Sequence, residues 1–187
     1  MVVINQSNFY TCTFCGCSEI DKKSYTNTKT KNHKNERGYP CANTTLKRYS
    51  LGYRFVTDVL QIRFVAPVLP SYDRWYAYSI LQGLLRGFCS YFSIDDRDIS
   101  GCLQYYTSED KTPSYAIILF DNAPGGAGYV RMMKDEHALR AVLKQTYDIM
   151  NTCTCGGEDG DSSCYSCLRN YYNQRSHDYL KRRYGND

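Results

Sequence analysis

No apolar run in this sequence approaches the length needed to cross a bilayer; the longest useful one, residues 115–120, is strand-sized. The opening Met1-Val2-Val3-Ile4-Asn5-Gln6 lacks the basic start and long apolar stretch of a signal peptide. The expectation is therefore a soluble, cytoplasmic protein without a membrane partner. Histidine is also scarce. Three histidines in 187 residues offer little material for acid–base catalysis. Neither Gly-x4-Gly-Lys-Ser/Thr nor an Asp-Glu-x-His box occurs, so the chain alone cannot be an ATP-driven motor.

What is present is enough for a core. A hydrophobic fraction of 42%, with 14% aromatic, argues against disorder throughout, and the length suits one domain with a small appendage. The net charge of +4 is unevenly spread. Between Glu19 and Arg48, eight Lys or Arg face three acids, and Arg169, Arg175, Lys181, Arg182 and Arg183 outnumber the acids of the last stretch. Basic ends around a more acidic middle fit contact with a polyanion such as DNA. The plain alternative is a solvated surface.

Ten cysteines, bunched in close pairs and without a signal peptide, read as metal ligands before disulfides. Cys153-x-Cys155 and Cys164-x2-Cys167 are separated by eight residues rich in Gly, Asp and Ser, a loop able to swing the second pair onto the first. Four thiolates in a tetrahedral shell suit zinc, and a closed shell is structural because no position is open for water. An iron–sulfur cluster is the main rival. Upstream, Cys12-x2-Cys15 resembles half of a zinc knuckle. Cys41 is a third ligand and Cys17 or His33 the fourth, so that Cys12, Cys15, Cys41 and His33 would make a second zinc site; free thiols are the alternative. Cys89 and Cys102 lie in apolar patterns and read as core residues.

Residues 1–50 read as a small basic knuckle-like segment that cannot bury much apolar surface without a metal. The body begins near Leu51. Residues 54–64 read as a strand with Val56, Leu60, Ile62 and Phe64 on one face, ended by Pro67 and Pro70. Asp73 is placed to cap a helix over 74–92, on which Gly83 and Gly87 imply close approach to another backbone. A short strand over 99–106, a turn at 108–113 and a buried central strand over 115–120 follow. The loop Asp121 to Gly128 then leads into a long helix over 129–150, the cysteine cluster, and a basic, tyrosine-rich helix from about Tyr165. The fold class is α+β, a small sheet packed by helices and closed by a C-terminal four-cysteine zinc clamp.

Two further features could carry function. The glycine-rich loop joins a strand to a helix, where backbone N–H groups can hold a phosphate, although its glycines also suit a tight turn. Asp98, Glu109 and Lys111 loosely match the acid-acid-lysine set of metal-dependent nucleases. Near the end, Arg169, Asn170, Tyr171, Tyr172 and Arg175 mix cations, amides and aromatics, which suits single-stranded nucleic acid as well as a packed core.

Several ordered motifs carry a family resemblance. Gly52-Tyr53-Arg54-Phe55-Val56-Thr57-Asp58-Val59-Leu60, Leu119-Phe120-Asp121-Asn122-Ala123-Pro124-Gly125-Gly126-Ala127-Gly128-Tyr129, the four cysteines, Leu168-Arg169-Asn170-Tyr171-Tyr172-Asn173-Gln174 and Leu180-Lys181-Arg182 stand in this order. Over residues 51–187 the sequence resembles the MrfA-type zinc-binding domain at the C-terminus of DEAD/DEAH-box helicases, which also occurs in helicase-partner proteins of the DISARM type. The resemblance implies a structural zinc at the four cysteines. It also implies a non-catalytic role beside a superfamily 2 helicase in DNA repair or anti-phage defence. Without the ATPase core, the chain would be a fragment, a split gene product or a separate subunit.

Overall fold

The computed structural model describes residues 2–20, 26–64, 73–108 and 111–185. The chain divides into two compact units, Met1–Phe55 and Val56–Asp187. Pro67, Pro70 and Glu109, invoked above, lie outside the described residues.

The first unit is a four-stranded antiparallel sheet of β1 (Val2–Cys12), β2 (Ser18–Ile20), β3 (Thr28–Thr30) and β4 (Thr45–Arg54), in the order β2-β1-β4-β3. β1 and β4 pair along most of their length, with a register shift between Ile4 and Asn8. Among the described residues, Tyr10, Cys12 and Leu46 are buried together in this unit, packed by Cys15, Cys17 and Cys41, so thiols that could grip a metal form part of its core.

The second unit holds a three-stranded antiparallel sheet, β5 (Val59–Ile62), β6 (Ile99–Thr107) and β7 (Pro113–Asp121), with β7 in the centre. Its buried run from Ala116 to Asp121 matches the central strand expected from the sequence. Helix α1 (Arg74–Phe92) begins where Asp73 accepts the N–H groups of Trp75 and Tyr76, satisfying donors that the first turn leaves unpaired. Leu81, Leu84 and Phe88 meet Ile99, Ile117 and Leu119 of the sheet. On the opposite side α1 packs on α2 (Glu136–Thr152). A β-carbon on Gly83 would sit 2.7 Å from the Met150 sulfur, and one on Gly87 would sit 2.9 Å from the Thr146 backbone nitrogen. Gly87 therefore lets the helix backbones approach, and Gly83 makes room for the Met150 and Thr146 side chains.

Four expectations change. The strand over 54–64 is broken: Arg54 ends β4, and residues 55–58 turn away to meet the glycine-rich loop. Val56 is exposed while its carbonyl accepts the N–H of Gly125. Leu60, Ile62 and Phe64 do face the core. The long helix over 129–150 is two pieces, a 3-10 turn at Val130–Lys134 and then α2. Asp135, with ψ of 126°, breaks the run and caps α2 by accepting the Ala138 N–H. The basic helix from Tyr165 does not form. Turns lead instead to 3-10 segments at Gln174–Tyr179 and Arg182–Gly185, because Asn170 and Asn173 bond the local backbone and draw it out of helical geometry. Cys102, expected in the core, is exposed, whereas Cys89 is buried.

Candidate metal centres

Cys153 is the first residue past α2, and its extended backbone turns the chain out of the helix axis. Gly156, Gly157 and Gly160 follow with positive φ, reversing the chain so that Cys164 and Cys167 return to the first pair. The sulfurs of Cys153 lie 3.4 Å from Cys155 and 3.5 Å from Cys164; Cys155 lies 3.6 Å from Cys167, and Cys164 lies 3.9 Å from Cys167. Four sulfurs around one zinc at ~2.3 Å stand about 3.8 Å apart. The set is thus spaced for one tetrahedral ion, and far too open for disulfides, whose sulfurs stand at ~2.05 Å.

The backbone prepares the sulfurs. Ser166 N–H points at the Cys164 sulfur and Cys164 N–H at that of Cys167. Burial pushes the Cys164 thiol up, but the N–H of Ser166, the Cys153 thiol and the N–H of Cys167 outweigh it and leave Cys164 at about 6. Burial holds Cys155 and Cys167 well above the ordinary thiol value. Cys164 is thus the sulfur most ready to act as a thiolate near neutral pH, and a cation arriving at Cys155 and Cys167 must displace their protons.

The second cluster gathers Cys12, Cys15, His33 and Cys41, whose donor atoms all lie within 4.8 Å of one another. Gly16, at φ of 74°, turns the knuckle after Cys15, and its N–H bonds the Cys12 carbonyl. A bridge between Lys34 and Pro40 pins the hairpin that carries His33 and Cys41. His33 Nδ1 donates to the Lys31 carbonyl at 3.1 Å, which orients the ring so that Nε2, the nitrogen that would meet a metal, lies 3.1 Å from the Cys15 sulfur. Cys12 and Cys41 sulfurs are 3.9 Å apart. Burial raises the Cys12 thiol, yet the N–H groups of Cys15 and Phe14 bring it down to about 6. Of the two residues open for the fourth place, His33 takes it; Cys17 packs beside the group without joining the donors. Each cluster has the donor chemistry of a structural zinc site.

The basic residues of the C-terminal segment separate into roles the sequence did not distinguish. Arg182 is 7% exposed; its Nε donates to the Cys155 carbonyl at 2.6 Å and its Nη2 to the Gly157 carbonyl. It latches the cysteine loop and is withdrawn from any nucleic-acid surface. Arg169 reaches Ser163 Oγ and the His177 carbonyl. Lys181 and Arg183 both lean on Asp161, at 2.7 and 3.3 Å. Arg175 is exposed.

The glycine-rich loop fills its own anion site. Asp121 is fully buried, and its carboxylate accepts the N–H groups of Ala127, Gly128, Tyr129 and Val130 at 2.6 to 3.1 Å. A phosphate has no vacant donors there. The tight-turn reading holds, and Gly126 in addition admits Asp58, which pairs with Arg131. Asp98 and Lys111 stand beyond opposite ends of β6, about 30 Å of strand apart, and so do not form a nuclease site.

A small α+β unit closed by a four-sulfur clamp defines a structural zinc-binding class of domain. A known family model agrees: residues 80–168, from within α1 to just past the last cysteine, match the MrfA Zn-binding domain, MZB. The chain is 28% identical to Druantia protein DruE of Escherichia coli (strain UMEA 4076-1) over 199 residues, covering 96% of this chain and 10% of the relative. It spans about a tenth of the length of that curated protein. Among solved structures, the crystal structure of the DUF1998 helicase MrfA bound to DNA aligns over 91% of this chain and 23% of that one, with a TM-score of 0.44 and 15% identity. No helix among the described residues is long and apolar enough to cross a membrane.

Proposed function

We propose that the chain is a non-catalytic, zinc-stabilised accessory module of a superfamily 2 DNA helicase system, acting in the cytoplasm in DNA repair or anti-phage defence. It would assist DNA binding or remodelling beside a DEAD/DEAH-box helicase or ATPase subunit, in cis or in trans, with residues 51–187 as the working domain. The observation that carries this is the closed four-cysteine clamp within the stretch that matches the MrfA Zn-binding domain. A shell of four sulfurs leaves no position for water or substrate, so the metal holds shape and the surface does the work. Likeness to a protein about ten times as long supports a module that operates beside other domains.

Arg175 and Arg183, with Lys181, are the cations proposed to meet phosphates, and Tyr171 and Tyr172 are exposed beside them in sequence. The test is binding of a labelled single-stranded and a duplex oligonucleotide at rising salt. Arg175→Gln with Arg183→Gln is expected to weaken binding severalfold and to flatten the salt slope by about one per lost phosphate contact. Unchanged affinity would reject this surface.

The sharing of Asp161 by Lys181 and Arg183 favours a second reading, because it cancels part of the positive charge. In that reading the module is a scaffold that docks on the ATPase subunit and never touches DNA. Co-purification with a helicase, together with no DNA binding at low salt, would select it.

A further inference from the structure

A cleft of about 410 Å³ opens between α1, the start of β6 and the turn at 170–173. Its volume lies in the ~300–1,000 Å³ range of small-ligand sites. Polar and apolar groups share its lining: Gln82, Ser100, Asn122, Asn170 and Asn173 stand beside Tyr78, Leu85 and Ile99, with Asp96 and Arg97 as its charged members. The charges at the rim are matched, Asp96 by Arg86 at 3.3 Å and Arg97 by Asp95 in a two-point contact. An uncharged, planar, hydrogen-bonding guest suits such a cleft better than a free anion.

The amides fix one another. Asn173 Oδ1 accepts the Asn170 N–H at 2.9 Å, so its Nδ2 must face Gln82 and the Leu168 carbonyl. Gln82 then presents Oε1 to Asn173 at 2.8 Å, and that same oxygen receives the longer contact from Asn170 Nδ2. What remains of Gln82 is Nε2, which has no hydrogen-bond partner among the described residues although the residue is only 6% exposed. An amide with its oxygen committed inside the protein presents its nitrogen to the cleft as a donor. At the rim Tyr172 is 68% exposed, and its backbone N–H is tied to Asn170 Oδ1 at 2.8 Å. The ring is thus anchored at its base and uncovered on its surface.

We infer that this cleft receives one unstacked nucleobase of a single DNA strand, with Tyr172 as its stacking platform and Gln82 Nε2 as a donor to an acceptor on the base edge. Both elements belong to single-strand recognition: aromatic stacking tolerates any base, and side-chain amides read base edges. The inference rests on the proposed DNA-assisting role and adds a site to it, since the cations treated above would hold only the phosphates.

Two measurements test it. In the first, the full chain is titrated with a labelled 12-nucleotide single strand and with the same strand lacking its central bases. Tyr172→Ala is expected to weaken the intact strand about tenfold and leave the abasic strand unchanged, while Tyr172→Phe restores the intact-strand affinity. In the second, free deoxyadenosine is titrated while side-chain amide resonances are followed. Shifts at Gln82 and Asn170, abolished by Gln82→Glu, which keeps the oxygen facing Asn173, are expected. Strand binding that ignores Tyr172→Ala and base removal, without deoxyadenosine shifts, would overturn the cleft and leave the DNA-assisting role standing. Deoxyadenosine shifts without any strand binding would keep the cleft and overturn that role. Silence in both overturns both.

Discussion

Arg182 and Arg175 carry the same charge seven positions apart and do opposite things. A sequence records that both are arginines in a basic stretch; only the fold puts one guanidinium against the carbonyls of Cys155 and Gly157 and the other in solvent. Arg182→Ala leaves two carbonyls without their charged donor and is expected to cost about 2–3 kcal/mol. A lower denaturant midpoint and faster zinc transfer to a chromogenic chelator would show it, with Arg175→Ala unchanged in both. The cysteines were legible for the opposite reason. Their chemistry depends on spacing along the chain, and Cys153, Cys155, Cys164 and Cys167 sit on one loop. Asp121 escaped, since nothing in the order Asp-Asn-Ala-Pro-Gly-Gly states that the carboxylate turns back to take four N–H groups.

Periodicity identified α1 and β7 well, because each buries a continuous stripe or run and Asp73 supplies a readable cap. It failed at residues 129–150, where an apolar pattern continues through Asp135 while the backbone does not. Asp–Glu at 135–136 was the available signal, an N-cap followed by an acid in the first turn. Asp135→Ala is expected to lower stability by about 1 kcal/mol, read as a drop in melting temperature. The contact between α1 and α2 is less forgiving. Gly87→Val would drive a side chain into the Thr146 backbone, and a loss of at least 1–3 kcal/mol is expected in chemical unfolding. Gly125→Ala, where no atom blocks a β-carbon but φ is 91°, tests conformational strain without crowding in the same assay.

For the molecule as a whole, two zinc ions per chain are expected by native mass spectrometry. Cys12→Ser with Cys41→Ser should leave one, and Cys155→Ser with Cys167→Ser should leave the other. Acidification should empty both sites, since their ligands must be deprotonated to bind. The first unit then has a second acid response. Lys29 and Lys31 hold the Glu19 carboxyl at about 2. A depressed carboxyl stabilises the fold above its ordinary value near ~4.3 and loses that contribution as pH falls towards the folded value. Zinc release, followed by absorbance of an indicator, should therefore precede Glu19 protonation, followed by carboxyl NMR. Asp161→Asn would uncover Lys181 and Arg183, and single-strand affinity is expected to rise severalfold with a steeper salt dependence if these cations meet phosphates.

Arg182 follows Cys167 by fifteen residues, and a chain is made from its N-terminus. All four sulfurs of the C-terminal clamp therefore precede in the chain the side chain that seals their loop. The guanidinium takes the carbonyls of Cys155 and Gly157 while Leu180 packs against Met150. A stretch of chain that contributes no ligand thus bolts the ligand loop from behind, so a change in that last stretch reaches the cysteines without touching one.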